Sequence, residues 1–153
     1  MSIWKQPKII CWSQILATSF QRLLDRQLID NCTTPEQLAE ALFHAPFVVV
    51  SQGIQADPIF NYGNQAALQL WDISWDKFTQ TPSRLSAETV NQATRAKMLA
   101  QVANQGYTSN YSGVRISSNG RRFLIEKRII LNLTDGLANT CGEAVTFPVW
   151  NFL

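Results

Sequence analysis

The chain has 153 residues, room for one ordinary domain and little more. Apolar residues make up 46% and charged residues 16%, which permits a packed core and excludes a highly charged disordered chain. The formal net charge of +2 is too small to predict nucleic-acid binding by phosphate neutralisation. No apolar run approaches the roughly 20 residues that span a bilayer, so no membrane span is expected.

Lys5 and Lys8 followed by apolar residues resemble the start of a signal peptide. Gln14, Gln21, Arg22 and Asp25 interrupt any apolar region, however, and no small-residue cleavage site follows. Cys11, Cys32 and Cys141 are odd in number and form no CxxC pair, which suits reduced thiols in a cytoplasmic protein.

Ile9 to Ile29 reads as an amphipathic helix, with Trp12, Leu16, Phe20, Leu23 and Leu24 at three- and four-residue spacings. Thr34-Pro35-Glu36-Gln37 starts a second helix. Thr34 is its N-cap, Pro35 its first residue, and Gln37 is placed to complete a capping box. That helix carries Leu38, Leu42 and Phe43 and ends near Ala45-Pro46. The β-branched run Phe47-Val48-Val49-Val50 and the segment Ile59-Phe60-Asn61-Tyr62 predict two strands joined by a loop. Asn64 caps a helix Gln65 to Trp71, and Ser74 caps a further turn with Trp75 and Phe78. Glu88 to Asn104, with Val90, Met98, Leu99 and Val102, reads as helix, stopped by Gly106.

Three strands complete the chain. Ser109 to Ser117 and Arg121 to Leu133 flank Ser118-Asn119-Gly120, where Asn-Gly is a strong hairpin signal. Asp135-Gly136 and Asn139 mark the next turn, before Cys141 to Val149.

Two strands, a helical crossover and three strands is the order of PAS domains. Ile59-Phe60-Asn61-Tyr62-Gly63-Asn64-Gln65-Ala66-Ala67-Leu68 resembles the PAS signature, in which a strand ends at an asparagine that opens a helix. Four stretches are similar to the PAS-related MEKHLA family: Ala45-Pro46-Phe47-Val48-Val49, Ala56-Asp57-Pro58-Ile59-Phe60-Asn61-Tyr62-Gly63-Asn64, Pro82-Ser83-Arg84-Leu85-Ser86-Ala87-Glu88 and Tyr111-Ser112-Gly113-Val114-Arg115-Ile116. The likeness covers nearly the whole chain. Members occur at the C-termini of plant class III homeodomain–leucine zipper proteins and as free-standing bacterial proteins, and this chain resembles the free-standing form.

The resemblance implies an α+β fold: a PAS-like five-stranded antiparallel sheet with a helical crossover, preceded by two N-terminal helices. Residues 1–33 would form an amphipathic, dimerising element and residues 34–153 the PAS-like domain. The resemblance also implies a sensing or interaction role. It names no cofactor, ligand or activity.

In two-residue register, the Asn119-Gly120 hairpin sets Ser118 opposite Arg121, Ile116 opposite Phe123, Val114 opposite Ile125 and Ser112 opposite Lys127. Lys127 and Ser112 then share the apolar face of Val114, Ile116, Phe123, Ile125, Ile129 and Leu131, with Glu143 on the corresponding face of the last strand. One reading puts Ser112, Lys127 and Glu143 in a partly polar cavity holding a small ligand. The other turns Lys127 outward at a β-bulge or a rim position. Tyr62, Trp71, Trp75 and Phe78 either stack a flat ligand beneath the crossover or fill a core. Arg84 either grips a carboxylate or phosphate or ties its loop to backbone carbonyls.

His44 is the sole histidine, so no His–His metal pair exists. It reads as a helix C-terminal residue, with haem ligation as the other reading. No cysteine follows Trp75 in the manner of light-sensing PAS relatives, so covalent flavin chemistry is not expected.

Nucleophile elbow, P-loop, dinucleotide fingerprint and zinc spacing are all missing from the sequence, which speaks against catalysis. The leading expectation is a cytoplasmic sensing or binding module that takes a small molecule, a regulatory protein partner, or both, and pairs as a homodimer through the first helix. That helix is the natural dimer element because it exposes Trp12 and Phe20 unless something covers them. The alternatives are a small-molecule enzyme on a cone-shaped, ketosteroid isomerase-like fold, with Asp57 or Glu143 as base, and a purely structural interaction protein.

Overall fold

Pro7 opens the first helix, because a proline at the first helical position gives up only an N–H that has no helical partner there. The computed structural model describes residues 2–86 and 92–153. Helix α1 (Pro7–Leu24) ends earlier than its pattern predicts, at Asp25, whose left-handed backbone (φ 55°) turns the chain away. Its buried residues, Ile9, Ser13, Leu16, Ser19 and Phe20, form one stripe. Two of the five are serines, small enough to bring the helix close to the strands beneath.

Helix α2 (Pro35–Phe43) is capped as expected: the Gln37 N–H donates to Thr34 Oγ1 at 3.1 Å. The Gln37 side chain reaches one residue further back, accepting from the Thr33 N–H at 2.9 Å. Strands β1 (Val48–Gln52) and β2 (Phe60–Gly63) pair antiparallel. Helices α3 (Gln65–Trp71) and α4 (Trp75–Phe78) follow, capped by Asn64 and Ser74. A 3-10 turn covers Ser83–Ser86, and helix α5 (Gln92–Gln105) stops before Gly106, at φ 86°. The predicted start of α5, Glu88 to Asn91 with Val90, lies outside the described residues, as do Ala87 and Glu88 of the stretch that begins at Pro82.

Asn64 does more than cap. Its Oδ1 accepts from the Ala67 N–H (3.2 Å) and the Val49 N–H (3.1 Å), and its Nδ2 donates to the carbonyls of Leu42 (3.2 Å) and Phe47 (2.9 Å). One buried amide with all four valences met thus ties α2, β1 and α3 together.

Strands β3 (Tyr107–Ile116), β4 (Arg122–Thr134) and β5 (Thr140–Phe147) complete an antiparallel sheet in the order β2-β1-β5-β4-β3. To the expected five strands the structure adds a sixth, β6 (Val149–Phe152), which pairs with Phe123–Glu126 of β4. Pro148 has no N–H for the ladder and separates it from β5, yet both strands run along the same side of β4 in one register.

The β3–β4 hairpin departs from its predicted pairing by one residue. Ser117 N–H bonds Arg121 O at 2.9 Å, and Gly120 N–H bonds Ser117 O at 3.0 Å. The loop therefore holds three residues, and only Gly120 among them takes positive φ, at 83°. Arg115, not Ile116, stands opposite Phe123, so the side chains of β3 exchange faces. Further along, Ile125 opposes Gly113 while Arg128 opposes Tyr111, leaving Glu126 and Lys127 against Ser112. This is a β-bulge, with Lys127 at φ 55°.

Both faces of the sheet are covered. On one, Leu16 and Phe20 of α1 pack on Val49, Tyr62, Leu131, Leu133 and Ala144. On the other, Trp71 and Phe78 pack on Val48, Val50, Phe123, Ile125 and Phe147. What covers Trp12 and Phe20 is the sheet of the same chain: Phe20 is buried and the Trp12 Nε1–H donates to Ser51 Oγ at 2.8 Å. No helix among the described residues is long and apolar enough to cross a membrane.

Candidate ligand-binding cavity

The face opposite α1 is not fully filled. A cavity of about 340 Å³ lies between the sheet and the crossover, a size at the small end of those that hold organic ligands. Val50, Ile125, Ile130, Val145 and Phe147 form its floor, Trp71 one wall, and Met98 and Leu99 of α5 its far side. The floor carries three charges: Arg115 from β3, Arg128 from β4 and Glu143 from β5.

Two of the three charges are placed by a local backbone event. The three-residue turn at Ser118–Gly120 gives β3 the register that aims Arg115 inward, where its Nη1 donates to Ser86 Oγ at 3.0 Å and Ser83 O at 3.4 Å. The bulge at Lys127 shifts the alternation of β4 and brings Arg128 inward, only 5% exposed. Gly113 makes room for it: a methyl there would lie 2.8 Å from Arg128 Nη1. Glu143 faces Gln52 across the β1–β5 ladder.

Among the described residues these charges are poorly met. Arg128 Nη2 has a long contact to Ser112 O and a contact to the weak acceptor Met98 Sδ, each at 3.5 Å, and its Nε has no partner. None of the three charges forms an ion pair within 4.0 Å among the described residues; Arg84 and Asp57 pair elsewhere, at 3.1 Å. Burial pushes the Arg115 guanidinium down to about 10, with the Arg128 charge adding to the fall and Glu143 opposing it. Arg128 is lowered the same way, by burial against the pull of Glu143. Burial also raises the Glu143 carboxyl, against Arg115 and Arg128. All three directions say that water has been removed faster than counter-charge has been supplied.

The residues singled out from sequence are dispersed. Trp71 lines the cavity, edge-on to Phe123 at 5.1 Å, and its buried Nε1–H lacks a partner among the described residues. Glu143 lines it as well. Arg84 stands at the mouth, mostly exposed, with its Nε between the two Asp57 oxygens at 3.1 and 3.2 Å. Phe78 lies in the core behind the wall, stacked on Phe60 at 4.3 Å. Tyr62 is on the α1 side, edge-on to Trp75 at 5.8 Å, and burial pushes its phenol up. Of the two readings of Lys127, the structure matches the outward one: the bulge leaves it exposed, and Ser112 opposite it is exposed too, so the placement of both inside the cavity is corrected.

Arg115 and Arg128 were missed. The signals available were Gly113 in a strand interior, which marks a bulge or a close approach, and the adjacent Lys127-Arg128, of which one must point inward.

Comparisons with known proteins fit this geometry. Over residues 10–152 the chain matches the MEKHLA domain. It is 22% identical over 108 residues to the homeobox-leucine zipper protein HOX29 of Oryza sativa subsp. indica, and equally to that of subsp. japonica. The alignment takes in 71% of this chain and 12% of each rice protein, so the chain spans a small part of those relatives. Among solved structures, the PAS domain of a protein from Colwellia psychrerythraea superposes with TM-score 0.62 at 15% identity, covering 77% of this chain and 95% of that one. A light-oxygen-voltage domain from work with a flavin analogue gives 0.57 at 17%, over 76% and 84%. An RNA-binding light-oxygen-voltage receptor gives 0.62 at 17%, over 78% and 34%. At such identities the likeness carries the fold alone, which is that of PAS and light-oxygen-voltage sensory domains and not the cone-shaped alternative. Matched over nearly its whole length, the chain belongs to the MEKHLA domain family.

Proposed function

We propose that this chain is a PAS-like sensing module that takes a small molecule into the cavity between sheet and crossover. The observation that carries the reading is the cavity itself, with buried Trp71 Nε1 and Arg128 Nε donors that no group among the described residues satisfies. A buried donor without a partner is disfavoured by about 1–3 kcal/mol, which an occupant with matching acceptors offsets. Occupancy reaches a regulatory protein partner, or a second copy, through α1, which the Trp12–Ser51–Asn61 hydrogen-bond chain links to β1 and β2. Three unpaired thiols, Cys11, Cys32 and Cys141, suit a cytoplasmic setting.

Native mass spectrometry of protein purified without added ligand tests the reading. The expected result is a reproducible mass increment, lost on denaturation and lost in Val145→Trp, which fills the cavity. Protein found at its bare mass in every preparation, and unmoved in melting temperature by a panel of small metabolites, would overturn it.

A further inference from the structure

Resting on that reading, we propose that the occupant is an organic oxyanion, a carboxylate or phosphate on an apolar body, whose charged head is held by Arg115 and Arg128. Three independent features point this way.

First, the unmet polar atoms on the cavity residues, Arg128 Nε and Trp71 Nε1, are both donors. A ligand that completes them must bring acceptors. Second, the formal charge is unbalanced. Two guanidiniums face one carboxylate, and neither pairs with Glu143 within 4.0 Å. Each ion taken from water loses several kcal/mol of hydration, which is recovered only by close, well-aligned counter-charge. Among the described residues the cavity lacks that by one negative charge. Third, the backbone is shaped for the arrangement. Lys127 holds a left-handed conformation that residues other than glycine disfavour, which turns Arg128 inward, and Gly113 leaves the space that the Arg128 guanidinium occupies. The planar fork of a guanidinium matches carboxylate and phosphate oxygens, two bonds at a time. Around it, Trp71, Phe147, Val145 and Ile125 offer an apolar wall for the rest of the molecule. A cation would meet two like charges, and a neutral ligand would leave both arginines uncompensated.

Glu143 sets a condition on the site. Its carboxylate repels an oxyanion bound beside it, so the ligand binds best when Glu143 is protonated or replaced. The groups around it are Arg115 on β3, Arg128 on β4 and Gln52 on β1, with Arg84 at the mouth.

The test is a matched set of probes on the full chain: benzoate, phenyl phosphate, benzamide and benzylamine, titrated at millimolar concentration and followed by the Trp71 indole N–H signal. Benzoate or phenyl phosphate should bind, and whichever is tighter identifies the head group. Benzamide and benzylamine should be weaker by about tenfold or more, the loss expected when a charge-assisted hydrogen bond is removed. Arg128→Met and Arg115→Met should each weaken the anion by about tenfold to a hundredfold, while Glu143→Gln strengthens it several-fold. Should the arginine variants fail to fold, the ranking of probes on the parent and on Glu143→Gln still decides the matter. Benzamide or benzylamine binding as tightly as the anions would overturn the oxyanion assignment and leave the cavity reading standing. Failure of every probe to shift Trp71, together with a bare mass in native spectra, would overturn both.

Discussion

The two faces of the sheet treat polar groups differently. Against α1, hydrogen bonds are made within the protein. Trp12 donates to Ser51, Ser51 donates to Asn61 at 2.6 Å, the Thr134 N–H donates to Ser19 Oγ at 3.1 Å, and Ser13 bonds the Ile9 carbonyl at 2.7 Å. The exception is the Tyr62 hydroxyl, buried without a partner. Against the crossover, the same sheet carries two arginines and a glutamate whose hydration is replaced only in part. A face whose polar groups are already paired contributes cohesion. A face whose donors remain open holds binding capacity, at some expense of stability in the unliganded state.

This contrast can be broken in three places. The largest effect is expected at Phe20, buried between α1 and the strands. Phe20→Ala should lose about 3–5 kcal/mol in urea unfolding, as deletions of buried aromatic side chains do. A loss under about 1 kcal/mol would mean that α1 is loosely attached and that its face is no cohesive layer.

Tyr62 gives the next effect. Tyr62→Phe removes a buried hydroxyl that bonds nothing, so stability should hold or rise by up to about 1 kcal/mol. A marked fall would reveal a partner for the hydroxyl, such as a buried water, and make the α1 face uniformly satisfied.

The smallest effect belongs to Glu143 on the cavity face. Burial holds its carboxyl above the usual range despite Arg115 and Arg128. The folded state then binds that proton more tightly than the unfolded chain does. This favours folding at low pH, and the advantage is lost as pH rises through the raised value. Glu143→Gln should therefore be more stable than the parent at neutral pH. The difference should vanish as pH falls below the ordinary glutamate value of about 4.3. Urea midpoints of both proteins across that range decide it, and a parent more stable at neutral pH would mean that the arginines already satisfy the carboxylate.

Local chemistry in the chain spoke clearly for helix starts. Thr34, Asn64 and Ser74 each accept the backbone N–H expected of an N-cap, because a cap is a contact between residues three apart. The PAS order of elements was legible for a similar reason, through turn residues and apolar periods. The cavity was not, because it depends on parity. Whether Asn119-Gly120 makes a two- or three-residue loop turns on the backbone angle of one asparagine, and that choice decides whether Arg115 or its neighbours look inward. The bulge at Lys127 is marked only indirectly, by a charge on an apolar face and by Gly113 in the facing strand, since lysine is a poor residue for positive φ and is held there by the surrounding ladder. The coverage of α1 was hidden for another reason. An apolar stripe shows that a helix is buried, but not against what.

The extra residue at Lys127 acts as a frameshift within one strand. Before it, the odd positions Phe123 and Ile125 face the crossover; after it, the odd positions Ile129, Leu131 and Leu133 press toward α1. A β4 of uniform phase would thrust the Arg128 guanidinium under the helix and empty three aliphatic side chains into the ligand space. One kink thus charges one side of the sheet and keeps the other dry.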